Sequence, residues 1–297
     1  MSIPDCLGPL APSRPGWKLP EGAWDMHFHV LGPQARFPYA AARKYTPPDA
    51  PLNDALALHD RLGIANGLVV HANTHGFDNG VDLEAAARSG GRYLAVVRLD
   101  SKATREGCQA LHAAGARGVR FAFNPQHGGT LDQRVFEHVL HCIEGLGWFV
   151  ELHFEGEAIP GLRSWLESIP ATVVIDHFGR VDPALGLHQE PFGILCDLMK
   201  KKNFWTKVSG ADRLSKKGFP YDDVRPLARR LVEVAPGRLI WGSDWPHTGV
   251  FDAKKMPDDG KLLDALHGFF PDSTVKGILV DNPLHLLGLL QHERKSR

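Results

Sequence analysis

The sequence predicts a (β/α)8 barrel, and three observations carry that expectation. Eight short apolar runs alternate with stretches of helical periodicity, and 297 residues suit a barrel of that plan. No glycine-rich phosphate turn follows the first run, as it would in a doubly wound open sheet. The runs are β-branched and nearly continuous in apolar character, as parallel strands buried on both faces should be.

Residues 1–22 are dense in Pro and Gly and read as an arm lying on the surface, ahead of one barrel domain over 23–297. The candidate strands are 24–30 (WDMHFHV), 67–73, 93–99, 118–123, 148–154, 172–178, 204–210 and 238–244. Between them, apolar residues three and four apart mark helices over 52–62, 81–89, 104–114, 131–146, 160–168, 189–202 and 222–235, with a last one over 272–290. Asp54 and Thr130 are candidate caps, and Gly63, Gly90 and Gly115 candidate helix stops.

Thirty-four basic residues balance 34 acidic ones, so no global field favours nucleic acid or an anionic membrane. No apolar run approaches the roughly 20 residues that span a bilayer, and the first residues lack the order of a signal peptide. Cys6, Cys108, Cys142 and Cys196 are widely spaced with no CxxC pair. They read as reduced thiols in a cytoplasmic protein. The oligomeric state is open, a homo-oligomer included.

In such barrels chemistry sits at the C-terminal ends of the strands. The first strand supplies Asp25, His27 and His29; the second runs into Asn73 and His75; the fourth gives Arg120; the fifth gives His153 and Glu155. The sixth gives Asp176, His177 and Arg180, Asp212 and Arg213 follow the seventh, and the eighth gives Ser243, Asp244 and then His247. Residues i and i+2 of a strand face one way, about 6.6 Å apart. His27 and His29 can therefore both enter the barrel mouth. By the same alternation Asp176 is expected to face away from His177. His59, His112, His138 and His141 lie on helices and read as solvated or packing residues, and His75 and His247 are not assigned as ligands. Arg180 reads equally as a loop brace or a substrate contact.

HxH on the first strand, histidines ending the fifth and sixth and aspartate ending the eighth resemble the amidohydrolase superfamily. The stretches 25–51, 71–79, 118–121, 173–180 and 240–247 (IWGSDWPH), with 281–288 (DNPLHLLG), resemble its branch of 2-pyrone-4,6-dicarboxylate lactonases. That resemblance implies a hydrolase opening a small anionic lactone, with Asp244 taking a proton from water and His27, His29 and His177 around the scissile carbonyl. It places Tyr45, Asn73, Arg120 and Arg213 against the substrate and its anionic groups.

Two departures matter. His153-Phe154-Glu155 stands where the lactonase has Tyr-Phe-Glu, so His27, His29, His153 and Asp244 are a candidate set for one divalent ion, Zn²⁺ foremost. His153 otherwise faces substrate, and the site works without metal as the lactonase does. Gln126, with His127 beside it, stands near a second lactonase arginine, which favours a related carboxylated or sulfonated muconolactone as much as the dicarboxylate. The alternatives are a metal-dependent decarboxylase of a related acid and a barrel that binds a metabolite without catalysis.

Overall fold

The eight parallel strands of the computed structural model pair in sequence order around a cylinder. It describes residues 3–123 and 130–290, so Gln126 and His127 lie outside the described residues. The strands are β1 Trp24–Phe28, β2 Asn66–Val70, β3 Tyr93–Val97, β4 Ala116–Ala122, β5 Phe149–His153, β6 Val173–Ile175, β7 Phe204–Lys207 and β8 Leu239–Ile240. Three backbone bonds close the seam between the last and first strands: Met26 N to Trp241 O, Asp244 N to His27 O and His29 N to Trp245 O.

Two apolar clusters follow from strand alternation. The inner one joins Trp24, Met26, Leu68, Val70, Val96, Phe149, Val174, Trp205 and Ile240, a set that only the inside of the cylinder can bring together. Leu284, Leu286 and Leu287, from the end of the chain, pack against it. Asn282, in the DNPLHLLG stretch, anchors that end by donating to the carbonyls of Pro236 and Leu239. The larger cluster lies between the strands and the helices. Each fully buried Val, Leu, Ile or Phe in these layers contributes about 1.5–3 kcal/mol.

The helices are α1 Leu52–Leu62, α2 Gly80–Arg88, α3 Arg105–Ala113, α4 Gln133–Ile143, α5 Ile159–Ser168, α6 Glu190–Lys200, α7 Ala211–Leu214, α8 Arg225–Val234, α9 Asp259–Phe269, α10 Asp272–Lys276 and α11 Asn282–Leu286. Helix α9 was not expected; a long irregular connection separates it from β8, and the Asp258 side chain caps it. The single helix expected over 272–290 is α10 and α11 joined by a π turn at Gly277–Asp281. Pro283 lies just beyond, where its missing N–H cannot continue an α ladder. Asp132 rather than Thr130 caps α4, accepting from Arg134 N and Val135 N, and Asp54 lies inside the first turn of α1. Gly63 does end α1, at φ 83°.

Residues 3–22 run along α9 and the loops of the mouth. Ser13 bonds Asp258, Trp17 stacks on His267 with ring centroids 4.4 Å apart, and Cys6 N donates to Thr46 O. All four cysteines are free and buried. Among the described residues no helix is long and apolar enough to cross a membrane.

Candidate active site

The site begins with an irregularity in β1. Asp25 pairs with Gly67 and Phe28 with Val69, so β1 carries one residue more than β2 over this interval, a β-bulge. Met26 stays inward, His27 is turned inward as well, and Phe28 faces outward onto His59 and Tyr93. The Asp25 carboxylate staples the bulge, its Oδ1 accepting from His27 N and Ser243 N at 3.0 Å each. Its Oδ2 lies 3.2 Å from His59 Nε2, and Tyr93 Oη is 2.7 Å from His59 Nδ1. Asp25 is therefore a scaffold residue, and His59 is buried in a polar chain rather than solvated. Gly242 lets β8 approach, because a Cβ there would stand 2.4 Å from His27 N.

One step above the inner apolar layer, alternation sets a charged layer. Val96, Phe149, Val174 and Trp205 face inward, so Arg98, Glu151, Asp176 and Lys207 two residues on face inward too. Lys207, Glu151 and Asp176 are fully buried. Lys207 Nζ pairs with Glu151, lies 3.1 Å from Asp176 Oδ1 and 2.7 Å from His27 Nδ1, three acceptors for the three N–H bonds of an ammonium. Arg120 donates to the His71 carbonyl at 3.1 Å, to His153 Nδ1 at 3.1 Å and to Asp176 Oδ2 at 3.0 Å.

The two carboxylates respond in opposite directions. Burial, then the Asp176 charge, raises Glu151 to about 7. Burial also pushes Asp176 up, but Lys207 foremost, with Arg120, holds it well below the usual carboxylate range. The expectation that Asp176 faces away from the site is overturned. Strand β6 ends at Ile175, Val174 sets Asp176 inward, and φ 48° at His177 turns the chain so that His177 enters as well.

His27 Nδ1 accepts from Lys207, and burial, with the Lys207 charge next, keeps the imidazole neutral, its pKa well below the ordinary value. Its one proton therefore sits on Nε2, 3.6 Å from Asp244 Oδ1 and without a hydrogen-bond partner among the described residues. His29 Nδ1 is 2.7 Å from the Val70 carbonyl and carries a proton there, which leaves Nε2 facing Asp244 Oδ1 at 3.4 Å. His177 Nδ1 meets Ser209 Oγ at 3.0 Å, and burial lowers this imidazole to about 3. Burial likewise lowers His153 to about 4. Asp244 is pushed up by burial but pulled further down by Arg213, its ion-pair partner, and then by His177. His177 and Asp244, at φ 48° and 61°, hold left-handed backbone that costs a non-glycine residue about 1–2 kcal/mol.

These groups meet at a cavity of about 300 Å³. His29, Tyr45, Asn73, Arg120, His153, His177, Arg213 and Asp244, all expected from the sequence, line it, and His27 stands directly behind with its ring 5.0 Å from His29 and 4.6 Å from His177. Arg120 is taken up by internal partners and does not present the open fork expected for a substrate anion, while Arg213 is neutralised by Asp244 and spends a further N–H on the Thr248 carbonyl at 3.2 Å. Tyr45 donates to Thr248 Oγ1 at 2.8 Å. Arg180 pairs with Glu155, and His247 with Asp259. The sequence reading passed over Glu151, Lys207 and Arg98, although a charge inside an apolar strand was the available signal.

Metal-binding spacing is present. The ligand atoms of His27, His177 and Asp244 lie within 4.8 Å of one another, as do those of His153, Asp176 and His177, and of His27, Glu151 and Asp176. The expected set of His27, His29, His153 and Asp244 is not among them; His153 turns Nδ1 to Arg120 and Asp176 instead. These His and Asp groups could hold a divalent ion; at the set of His27, His177 and Asp244 the donor chemistry fits one poorly, because Lys207 directs the His27 proton to the nitrogen that would ligate it, an obstacle that the set of His153, Asp176 and His177 does not share.

Histidines from the first and sixth strands converging with an aspartate after the eighth, at the mouth of a parallel barrel, define an amidohydrolase-type site. Residues 24–289 match the family described as Amidohydrolase, and the chain belongs to that family. It is 50% identical over 291 residues to a 4-sulfomuconolactone hydrolase of Rhizobium radiobacter, covering 97% of each chain. Over 285 residues, 93% of each chain, it is 41% identical to a 2-pyrone-4,6-dicarboxylate hydrolase of Comamonas testosteroni. A crystal structure from Agrobacterium tumefaciens superposes with a TM-score of 0.83 at 30% identity, covering 93% of this chain and 98% of that one.

Proposed function

We propose that this protein opens the ring of a small anionic lactone, 4-sulfomuconolactone or a close relative such as 2-pyrone-4,6-dicarboxylate, by attack of water. The observation that carries the reading is an unspent N–H on His27 Nε2 beside an ionised Asp244, with Asp244 lining a cavity sized for a small molecule and His27 directly behind that lining. The similarity to hydrolases of these two lactones supports the substrate class.

Asp244 faces the cavity as an acceptor, with His29 Nε2 3.4 Å from its Oδ1, and a water there donates a hydrogen to the carboxylate. Arg213 keeps Asp244 ionised and so able to take the proton as the water oxygen bonds the lactone carbonyl carbon. The carbonyl oxygen gains charge in that step, and His27 Nε2–H, with His177 beside it, stabilises it by donation. When the intermediate collapses, the ring C–O bond breaks and Asp244 returns the proton to the leaving oxygen. The product acid then ionises, so each turnover releases one proton. Tyr45 and Asn73 line the wall against which the substrate packs.

This chemistry uses donors that the chain itself supplies. Zinc at His27, His177 and Asp244 would act as Lewis acid on the same oxygen, but His27 would first have to lose the proton that Lys207 places on Nε2. Decarboxylation through a metal at that set meets the same obstacle. The test is acid release in a weakly buffered solution from each of the two lactones, by enzyme stripped with chelator. Ring opening with one proton per turnover is expected after stripping. Folded protein that opens neither lactone would overturn the reading, and activity lost on stripping and restored by zinc would overturn its metal-free form.

A further inference from the structure

Six cationic side chains line the cavity, and their partners sort them. Arg120 is neutralised by Asp176 and Glu151, Arg180 by Glu155 and Arg213 by Asp244. Arg43, Lys44 and Arg98 have no carboxylate partner among the described residues. Arg43 is turned back on its own loop, donating to Thr46 Oγ1 at 3.1 Å and to the Ala40 carbonyl at 3.2 Å. Lys44 is exposed on the same loop.

Arg98 differs from both. It stands one residue past β3, in register with the inward Val96, and its backbone is clamped on both sides by one side chain: Arg98 N donates to Asn79 Oδ1 at 2.7 Å, and Asn79 Nδ2 donates to Arg98 O at 2.9 Å. Its guanidinium lies over the Phe77 ring, 4.4 Å from the centroid, and spends one N–H on the Gly76 carbonyl at 3.2 Å. The remaining donors of a planar five-donor group have no protein acceptor among the described residues. Burial, and after it the like charge of Arg120, lowers its pKa. A half-buried cation held rigidly in a cavity wall without a counter-ion is a site prepared for an anion.

We propose that Arg98 binds the sulfonate or carboxylate that the lactone carries away from its reacting carbonyl, and so sets the preference for an anionic substrate. The inference rests on the lactone reading and names the residue that reads the charge, in place of Arg120, whose fork is filled from within. Arg98 belongs to the wall of β3 and β4, whereas His29 and Asp244 belong to the seam of β1 and β8, so one ligand can span both.

The experiment compares wild type with Arg98→Gln on 4-sulfomuconolactone, and measures inhibition by inorganic sulfate in both. A charge-assisted contact of this kind corresponds to about a ten- to hundredfold effect. KM is expected to rise by at least about tenfold with kcat within about twofold, and sulfate inhibition is expected to weaken in parallel. Equal KM and equal sulfate inhibition in the two proteins would overturn the proposal. Should R98Q fail to fold, R98K is read instead: it keeps the charge and loses the fork, so KM rises severalfold, and an unchanged KM counts against the proposal. Wild type that opens no lactone defeats the catalytic reading alone. Arg98 is then read by thermal shift, sulfate raising the melting temperature of wild type but not of R98Q, and an equal shift in both overturns it.

Discussion

Lys207 touches no lining surface of the cavity, yet it decides what the nearest imidazole can do. An ammonium donates and cannot accept, so His27 must present a lone pair at Nδ1 and its proton at Nε2, toward Asp244. The same ammonium is shared by two fully buried carboxylates. Replacing Lys207 by Met would leave Glu151 and Asp176 buried with Arg120 alone, a loss on the order of 3–5 kcal/mol. Urea denaturation of K207M should show a midpoint lowered accordingly. Its kcat should fall as well, since His27 is then free to move its proton to Nδ1. A variant as stable and as active as wild type would show that the lysine neither supports the charged layer nor orients the imidazole.

At the level of elements, the barrel was legible because each strand is an apolar run of the right length bounded by turn residues, and every one of the eight expected runs overlaps an observed strand, β2 and β4 starting one and two residues earlier than expected. The pairing of His27 with His29 was legible too, but for a reason that alternation does not supply. Met26 and His27 both face inward only because β1 bulges and Asp25 holds the bulge to Ser243. Nothing in WDMHFHV announces an extra residue, since a bulge is specified by the partner strand. Asp176 was misplaced for the converse reason: the sixth strand was carried on to Phe178, whereas β6 stops at Ile175 and the chain turns left-handed beyond it. The charged layer of Arg98, Glu151 and Lys207 could have been read from residues two positions earlier. The internal partners of Arg120 could not, because they come from β5 and β6 and appear only once the cylinder closes. Helix α9 was hidden by the length of the irregular stretch before it.

Taken whole, the molecule encloses titratable groups in the forms that catalysis uses, and this ties stability to pH. His153 and His177 are neutral in the fold, lowered by burial to about 4 and about 3. Below their ordinary value of 6.5 the unfolded chain takes up protons that the folded chain refuses. Their contribution is complete above 6.5 and is lost as pH falls from there toward 4, on the order of 3 kcal/mol for each. Asp176 and Asp244, held low by their cations, add to the loss at still lower pH. Glu151, raised to about 7, works in the opposite direction over the same range, but one carboxyl offsets only about one of the two imidazoles. Denaturation midpoints should therefore still fall between pH 6.5 and 4, and a midpoint that rises over that range would mean that the two imidazoles are not buried neutral. In the proposed mechanism activity depends on the same enclosure, with Asp244 as the one group that moves a proton. The most direct measurement is the rate of acid release from 4-sulfomuconolactone by wild type and by Asp244→Asn, both shown folded by circular dichroism. Wild type should release one proton for each ring opened and D244N should be slower by about a thousandfold or more. A folded D244N that opens the lactone at the wild-type rate would contradict the assignment of Asp244 as the base.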